Sequence, residues 1–453
     1  MKKRIASIDI LRAIAIIGMI MCANIGFNSG LPAWMFHAQT PPPTYSFDPS
    51  VAGLTWVDLV FPFFLLPMGA AFPLAMRKKL ENGAGMSGMF VSLFKRWAIL
   101  TLFALVIGNS SYNIWSTSRE AWQVYLFLIA VWGGMFLSLV QARKKIVNIA
   151  GIILLAALAC ILVFWFGIPL DKGTSDIIIM ILANVALWGG AIWMLTRNNL
   201  RLRWLVILFI AMVKAVDSYA PQVLDFIPDC GCMSWLFSFE WLQYLIIALS
   251  GSVVGDMILD HSRSGKEIRL DSKDVAAGFI ALAAALVQLW GLYLRAVAID
   301  FAVSAALAAA FVALTWKKKN VYTNVGITGF ALMLVGIAFD PLDGGITKDY
   351  CNLSYLFTTG GMAVLVTAFL LMLEFRFGMK SSFIAGVGQN PMVAYTVTSF
   401  FIGPVLNLTG ILPLIYSLSE GNQFWGVAQG AIITFLMMCV TYLCTKMKLF
   451  WRS

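Results

Sequence analysis

Stretches of about 17 to 25 consecutive apolar residues, long enough to cross a hydrocarbon core as a helix, recur from one end of this chain to the other with short polar breaks between them. The 453 residues are 60% hydrophobic and 12% charged, with a mean hydropathy of +0.85. That is more apolar surface than one water-soluble core hides. The fold class expected is therefore all-α, a polytopic integral membrane helix bundle of about 12 spans within a range of about 10 to 14. The lipid bilayer is its first partner. The window from Ile8 to Gly26 follows Lys2, Lys3 and Arg4 but is interrupted early by Asp9 and Arg12, so it reads as a retained first span and not as a cleaved signal.

Charge placement gives an orientation. Of the 32 Lys and Arg, all but Arg12, Arg119, Lys172, Lys214, Arg295 and Lys348 fall in small clusters separated by apolar spans, with few basic residues in the loops between. The clusters mark the cytoplasmic face, which places both termini there and makes the number of spans even. A net charge of +10 distributed in this way is a membrane-orientation pattern and points away from nucleic acid. Seven scattered cysteines are an odd number and give no disulfide framework, although Cys351 could bridge to Cys230 or Cys232 in an oxidising outer compartment. The segment from Arg203 to Glu240 leaves the middle of the topology open.

Polar groups inside such a chain are costly unless paired or facing a cavity. Asn24 ends the first span, where its amide can donate and accept hydrogen bonds. His37, one of two histidines, follows in an outer loop that holds Asp48 but no Lys or Arg between Gly30 and Gly53. Imidazole is the side chain best suited to accept a proton near neutral pH. Asp58 falls in the first turn of the next span. There it can complete a capping box begun by Thr55, or accept the second ring N–H of His37 and fix its tautomer. Pro62, Pro67 and Gly69 predict a break in that helix just below, of the kind found where backbone lines a cavity. No zinc spacing, phosphate-cradling glycine loop or serine nucleophile elbow is present, and no metal is expected.

The run Gly53-Leu54-Thr55-Trp56-Val57-Asp58-Leu59-Val60-Phe61-Pro62-Phe63-Phe64, with Met68-Gly69, closely resembles the signature of the heparan-alpha-glucosaminide N-acetyltransferase family and its bacterial relatives in the transmembrane acyltransferase superfamily. Ser7 to Ala13, Phe36-His37-Ala38, Lys348-Asp349 with Ser354 to Gly361, and Gly388 to Tyr395 are similar to other family motifs in the same order. The likeness is strongest over 5–110 and 340–400, within what reads as a single transmembrane domain over 1–453. It implies acetyl transfer from cytoplasmic acetyl-CoA to an amino sugar or glycan acceptor across a membrane, the bacterial inner membrane for a chain of this kind. Asn24 and His37 are the catalytic pair it implies. His37 would act as base, Asn24 as oxyanion donor or positioner, and Asp58 as orienter. Anionic CoA would meet Arg12, Arg77, Lys78 and Arg96 at the inner ends of the first spans. Three departures, the lengthened segment Gln39 to Ala52, the lack of a large luminal N-terminal region and extra middle spans, bear on the acceptor more than on the chemistry. Two other readings stand beside this one: O-acetylation of a surface polysaccharide, and secondary transport of a small solute. Self-association as a homodimer is left open.

Overall fold

A computed structural model describes residues 5–111, 114–141, 145–170, 173–224, 235–236, 238–264, 268, 270–318 and 320–451. Lys2, Lys3, Arg4, Arg143, Lys144, Lys266, Arg269, Lys319 and Arg452 of the basic clusters, and the Cys230 and Cys232 of the suggested bridge, lie outside the described residues. The chain is an all-helical membrane bundle. Among the described residues no strand forms, only an isolated bridge between Val140 and Trp451, and thirteen helical stretches are long and apolar enough to cross a membrane.

Two compact units divide the chain. The first comprises Met1–Ala15, Pro32–Phe94 and Asn184–Ser381; the second comprises Ile16–Leu31, Lys95–Ala183 and Ser382–Ser453. Helices α1 (Ala6–Asn24), α3 (Met86–Ser111) and α6 (Ile177–Thr196) contribute residues to both. The first unit contains α2 (Trp56–Glu81), α7 (Leu200–Tyr219), α8 (Phe239–Leu242), α9 (Leu245–Ser264), α10 (Ser272–Tyr293), α11 (Val297–Thr315), α12 (Val321–Phe339) and α13 (Leu353–Phe377). The second contains α4 (Ala121–Leu139), α5 (Lys145–Phe164), α14 (Ser382–Gly388), α15 (Pro391–Val397), α16 (Gly403–Leu408), α17 (Ile411–Ser419) and α18 (Gln423–Lys446), with one π turn at Thr398–Ile402 between α15 and α16. Helix α7, the source of the ambiguous middle, is long enough to span but carries Arg201, Arg203, Lys214 and Asp217.

Within the first unit the helices approach through small residues. A Cβ on Gly251 would sit 2.2 Å from the Leu66 carbonyl oxygen, and one on Gly69 would sit 1.7 Å from that of Ala248. Glycines four apart on α9, Gly251 and Gly255, thus admit the backbone of α2, the close-crossing arrangement that drives helix association in lipid. The same device joins α12 to α13. Gly361, at the end of the Thr358 to Gly361 motif, lies 2.4 Å in Cβ terms from the Met333 amide nitrogen. That motif is therefore a packing seam, and α13 is the most buried of the candidate spans.

The expected break at Pro62, Pro67 and Gly69 does not form. Helix α2 runs unbroken through Pro62, Pro67 and Pro73. Each proline removes one N–H from the helical ladder without bending this helix out of register, because neighbouring side chains and close packing hold it.

The two ends of the first unit differ in chemistry. At one end Arg203, 1% exposed, donates to Asp256 Oδ2 at 2.5 Å and to Thr196 Oγ1 at 3.1 Å, while Arg77 faces Asp256 and Asp260. Arg263 pairs with Glu81 and Lys318 with Asp271 and Asp274 at the same end. The opposite end gathers the loop of His37, the start of α2, the α10 to α11 turn and the loop between α12 and α13. There Arg295 grips Asp340 with two hydrogen bonds of 2.8 and 2.9 Å, and the Gly53 amide donates to Ile346 O at 2.8 Å.

Candidate functional site

The polar end of the first unit is assembled from local rules. Asp58 is three residues beyond Thr55, the residue just before α2, so its carboxylate reaches back to accept the Thr55 amide at 2.9 Å, the acid half of a capping box. Its negative charge also lies where the unpaired N–H groups of a helix start favour an anion. Thr55 turns its own hydroxyl to the Phe36 carbonyl at 2.6 Å, which fixes the residue preceding His37. His37 Nδ1 then meets Asp58 Oδ1 at 2.7 Å, and the Ala38 amide approaches Oδ2 at 3.4 Å.

The two partners differ sharply in exposure. The Asp58 side chain is fully buried while that of His37 is 35% exposed. An ionised carboxylate only accepts hydrogen bonds, so this contact puts the proton on Nδ1 and leaves the Nε2 lone pair for chemistry. Asp58 therefore serves both as cap and as imidazole partner, joining the two readings its position allowed.

The lengthened segment between His37 and the start of α2 closes on itself. Buried Gln39 donates Nε2 to Val51 O at 2.9 Å, its backbone carbonyl accepts the Asp48 amide at 2.9 Å, and Tyr45 packs edge-on against Phe36 with ring centroids 5.0 Å apart. The loop thus holds His37 from the chain's far side as Thr55 holds it from the near side.

Lys348 completes the cluster. Its Nζ lies 3.3 Å from His37 Nδ1 and 3.5 Å from Nε2. The loop that presents it is pinned at several points: Asp340 Oδ2 accepts the Ile346 amide at 2.8 Å, Asn352 Nδ2 donates to Gly345 O at 2.8 Å, and Asn352 Oδ1 caps α13 through the Tyr355 amide. Cys351 sits in this turn with φ +47°, a left-handed conformation uncommon for a side chain bearing a Cβ and characteristic of strained functional turns. Burial pushes the Cys351 thiol up to about 12, which keeps it from acting as a thiolate nucleophile at neutral pH.

Tyr355 forms the floor. Its hydroxyl donates to the backbone carbonyl of Asp58 at 2.9 Å. Pro62 has no N–H for that carbonyl four residues earlier, so the tyrosine supplies the missing donor. Lys348 and Tyr355 were missed as site residues from the sequence. Lys348 left a signal, being one of the few basic residues outside the clusters, and so did Pro62, whose position names the carbonyl that needs a partner.

The other sequence-predicted residues are placed elsewhere. In the first unit, Arg12 contacts Asp9 Oδ1 at 3.4 Å and donates to Pro67 O at 3.2 Å. Arg77 is engaged by Asp256 and Asp260, whereas Lys78 is exposed. In the second unit, half-buried Asn24 ends α1, donates Nδ2 to Ile20 O at 2.7 Å and receives Gln429 Nε2 on its backbone oxygen at 2.9 Å. One of its two amide hydrogens is thereby used within its own helix. Arg96 is half-buried on α3 in that unit. Among the described residues no three His, Cys, Asp or Glu side chains converge as metal ligands.

No curated protein sequence matches this chain. A family profile described as a domain of unknown function, DUF5009, matches residues 4–258, a stretch that includes Asn24, His37, Asp58, Arg77 and Arg96 and exceeds half of the chain. By that match the chain belongs to the DUF5009 family.

Proposed function

We propose that the chain is a transmembrane acetyltransferase that takes an acetyl group from acetyl-CoA on the cytoplasmic side and delivers it to an amino sugar or other glycan residue on the opposite side, in a bacterial inner membrane. The observation that carries this reading is the 2.7 Å contact of a partly exposed His37 with a fully buried Asp58. An acid that fixes the tautomer and an imidazole whose Nε2 keeps its lone pair are the parts a general base requires. The resemblance of Gly53 to Phe64 to the glucosaminide N-acetyltransferase signature supports the donor and the acceptor class.

In the proposed reaction Nε2 of His37 takes the proton of the acceptor amine or hydroxyl as that atom bonds to the thioester carbonyl carbon. The carbon–sulfur bond then breaks, and CoA leaves as a thiolate that recovers the proton from the imidazolium. Charge develops on the carbonyl oxygen during the attack, and a cation or amide donor there lowers the barrier. Lys348, whose Nζ lies beside the His37 ring, takes that role. Both termini and the basic clusters, including Arg77, Lys78 and Arg96, face the cytoplasm and the CoA phosphates; the polar end holding His37 faces the acceptor.

The test is transfer of radiolabelled acetyl from acetyl-CoA to a panel of glucosamine-bearing oligosaccharides by purified protein in detergent, with His37→Ala in parallel. Transfer by the wild type that disappears in His37→Ala supports the reaction and the base together, and the panel separates amine from hydroxyl acceptors. No labelled acceptor, with no heat of acetyl-CoA binding by calorimetry, removes the donor from the reading and moves secondary transport to the front.

A further inference from the structure

Helices α10 and α11 pack against each other and leave large apolar side chains uncovered, Leu286 and Trp290 at 57%, Leu294 at 55% and Ile299 at 70% exposure. A cavity of about 450 Å³ lies between them, walled by Leu286, Val287, Trp290, Leu294, Ile299 and Val303. Its one charged lining residue is Asp300, which is 2% exposed.

The carboxylate is built in with care on one side only. Gln288 donates Nε2 to Asp300 Oδ2, and Ser304 orients that amide by donating to its Oε1 at 3.2 Å. Position 291 is glycine because a Cβ there would sit 2.4 Å from Asp300 Cγ. Asp300 Oδ1 has no hydrogen-bond partner. A buried carboxylate oxygen without a donor is costly, so the arrangement calls for a donor from outside the chain.

The surroundings restrict what that donor belongs to. The walls are apolar and face the bilayer, so the ligand arrives from lipid with an apolar body. Asp300 lies in the first turn of α11, and Trp290 and Tyr293 occupy the last turn of α10. Tryptophan and tyrosine mark the headgroup level of a membrane, and one helical turn is about 5.4 Å, within reach of a headgroup. Charge complementarity to a carboxylate selects a cation, and an unpartnered acceptor selects a cation with N–H groups.

We propose that the α10–α11 groove binds a membrane phospholipid with a primary ammonium headgroup, whose ammonium donates to Asp300 Oδ1 while its acyl chains lie on the apolar walls. A phosphocholine head carries the charge without a donor. A phosphoglycerol head carries donors without the cation. Neither satisfies both requirements of the site.

The experiment uses the full chain, delipidated in detergent and offered an equimolar mixture of phosphatidylethanolamine, phosphatidylcholine and phosphatidylglycerol of identical acyl chains, with bound lipid read by native mass spectrometry. Phosphatidylethanolamine is expected to be retained over either competitor by about fivefold or more, and Asp300→Asn, which keeps the shape, is expected to bring the three to the same level. A second arm needs no variant: phosphatidylethanolamine with a photoreactive acyl chain should crosslink to residues 286–303 of the wild type. Equal retention of the three lipids by the wild type, a preference that survives in Asp300→Asn, or crosslinks concentrated outside 286–303 would each overturn the assignment.

Discussion

The Tyr355 hydroxyl donates to the backbone carbonyl of Asp58 across 2.9 Å, bridging 297 residues of sequence to repair a bond that Pro62 makes impossible within α2. The residue that orients the imidazole is therefore held at its backbone by one side chain and at its carboxylate by the helix it starts. This pairing decides how the site responds to substitution.

Removing the hydroxyl leaves a buried carbonyl without a donor. Tyr355→Phe should cost about 1–3 kcal/mol and lower the thermal midpoint measured in detergent. Pro62→Ala restores an N–H to that carbonyl, so the loss in Tyr355→Phe should shrink when both changes are combined. Equal losses with and without Pro62→Ala would show that the hydroxyl does not serve the freed carbonyl.

Asp58→Asn should separate capping from chemistry. The amide still offers one oxygen to the Thr55 N–H, so the loss of thermal stability should stay near about 1 kcal/mol. The charge that stabilises an imidazolium is gone, and the proposed acetyl transfer should fall by up to about 10²–10⁴-fold, the contribution of the base that Asp58 orients. Lys348→Met, which leaves the His37 to Asp58 contact in place, should lower the rate with a smaller effect on stability. Unchanged transfer by the Lys348→Met variant would remove the cation from the proposed reaction.

Much of this site was legible because its parts are close in sequence. Thr55 and Asp58 are three residues apart, the spacing of a capping box, and the only loop histidine stands twenty-one residues before the acid. Lys348 is 311 residues from His37, and no periodicity connects them. The prolines predict a break because each deletes a ladder bond; in the continuous α2 the carbonyl freed by Pro62 is met by Tyr355 from α13, a partner no local pattern reveals. Length and hydropathy alone lead to about 12 spans within a range of about 10 to 14, which brackets the thirteen candidate stretches of the described residues, whereas α7 is obscured by charges, among them Arg203, whose partner Asp256 is on another helix.

The α2 to α9 crossing predicts a steep contrast between glycines. Gly251→Leu would drive a side chain into the Leu66 carbonyl, and overpacking of this kind costs about 1–3 kcal/mol or more. Gly85, with no atom within 4 Å of its would-be Cβ, should accept alanine within about 0.5 kcal/mol. Thermal midpoints of the two variants check this directly, and comparable losses would deny the seam its role.

The Arg203 to Asp256 pair should be markedly non-additive. Both side chains are nearly removed from solvent, and Asp256 also accepts Trp193 Nε1 at 3.1 Å. Arg203→Met or Asp256→Leu alone strands a buried charge, a loss of about 3–5 kcal/mol, whereas the double variant strands none and should lose less than either single change. Four thermal midpoints complete the cycle. Additive losses would mean that the pair does not act as a unit.

At the same end of the first unit, Asp271 and Lys318 give a pH dependence whose sign follows from their contact. The hydrogen bond from the Lys318 ammonium at 2.8 Å, aided by the Asp274 amide, holds the Asp271 carboxyl down at about 2, below its ordinary 3.8. A carboxyl depressed in the folded state stabilises fully above the unfolded value, and that contribution drains away as pH falls from about 4 toward 2. Lys318→Met should therefore flatten the acid limb of the stability curve in that interval by lowering the neutral plateau, the more so because Lys318 also pairs with buried Asp274 at 2.9 Å. Added salt should reproduce part of the effect in the wild type, since screening weakens the same contact. An acid limb identical in wild type and Lys318→Met at low ionic strength would show that Asp271 titrates without its lysine.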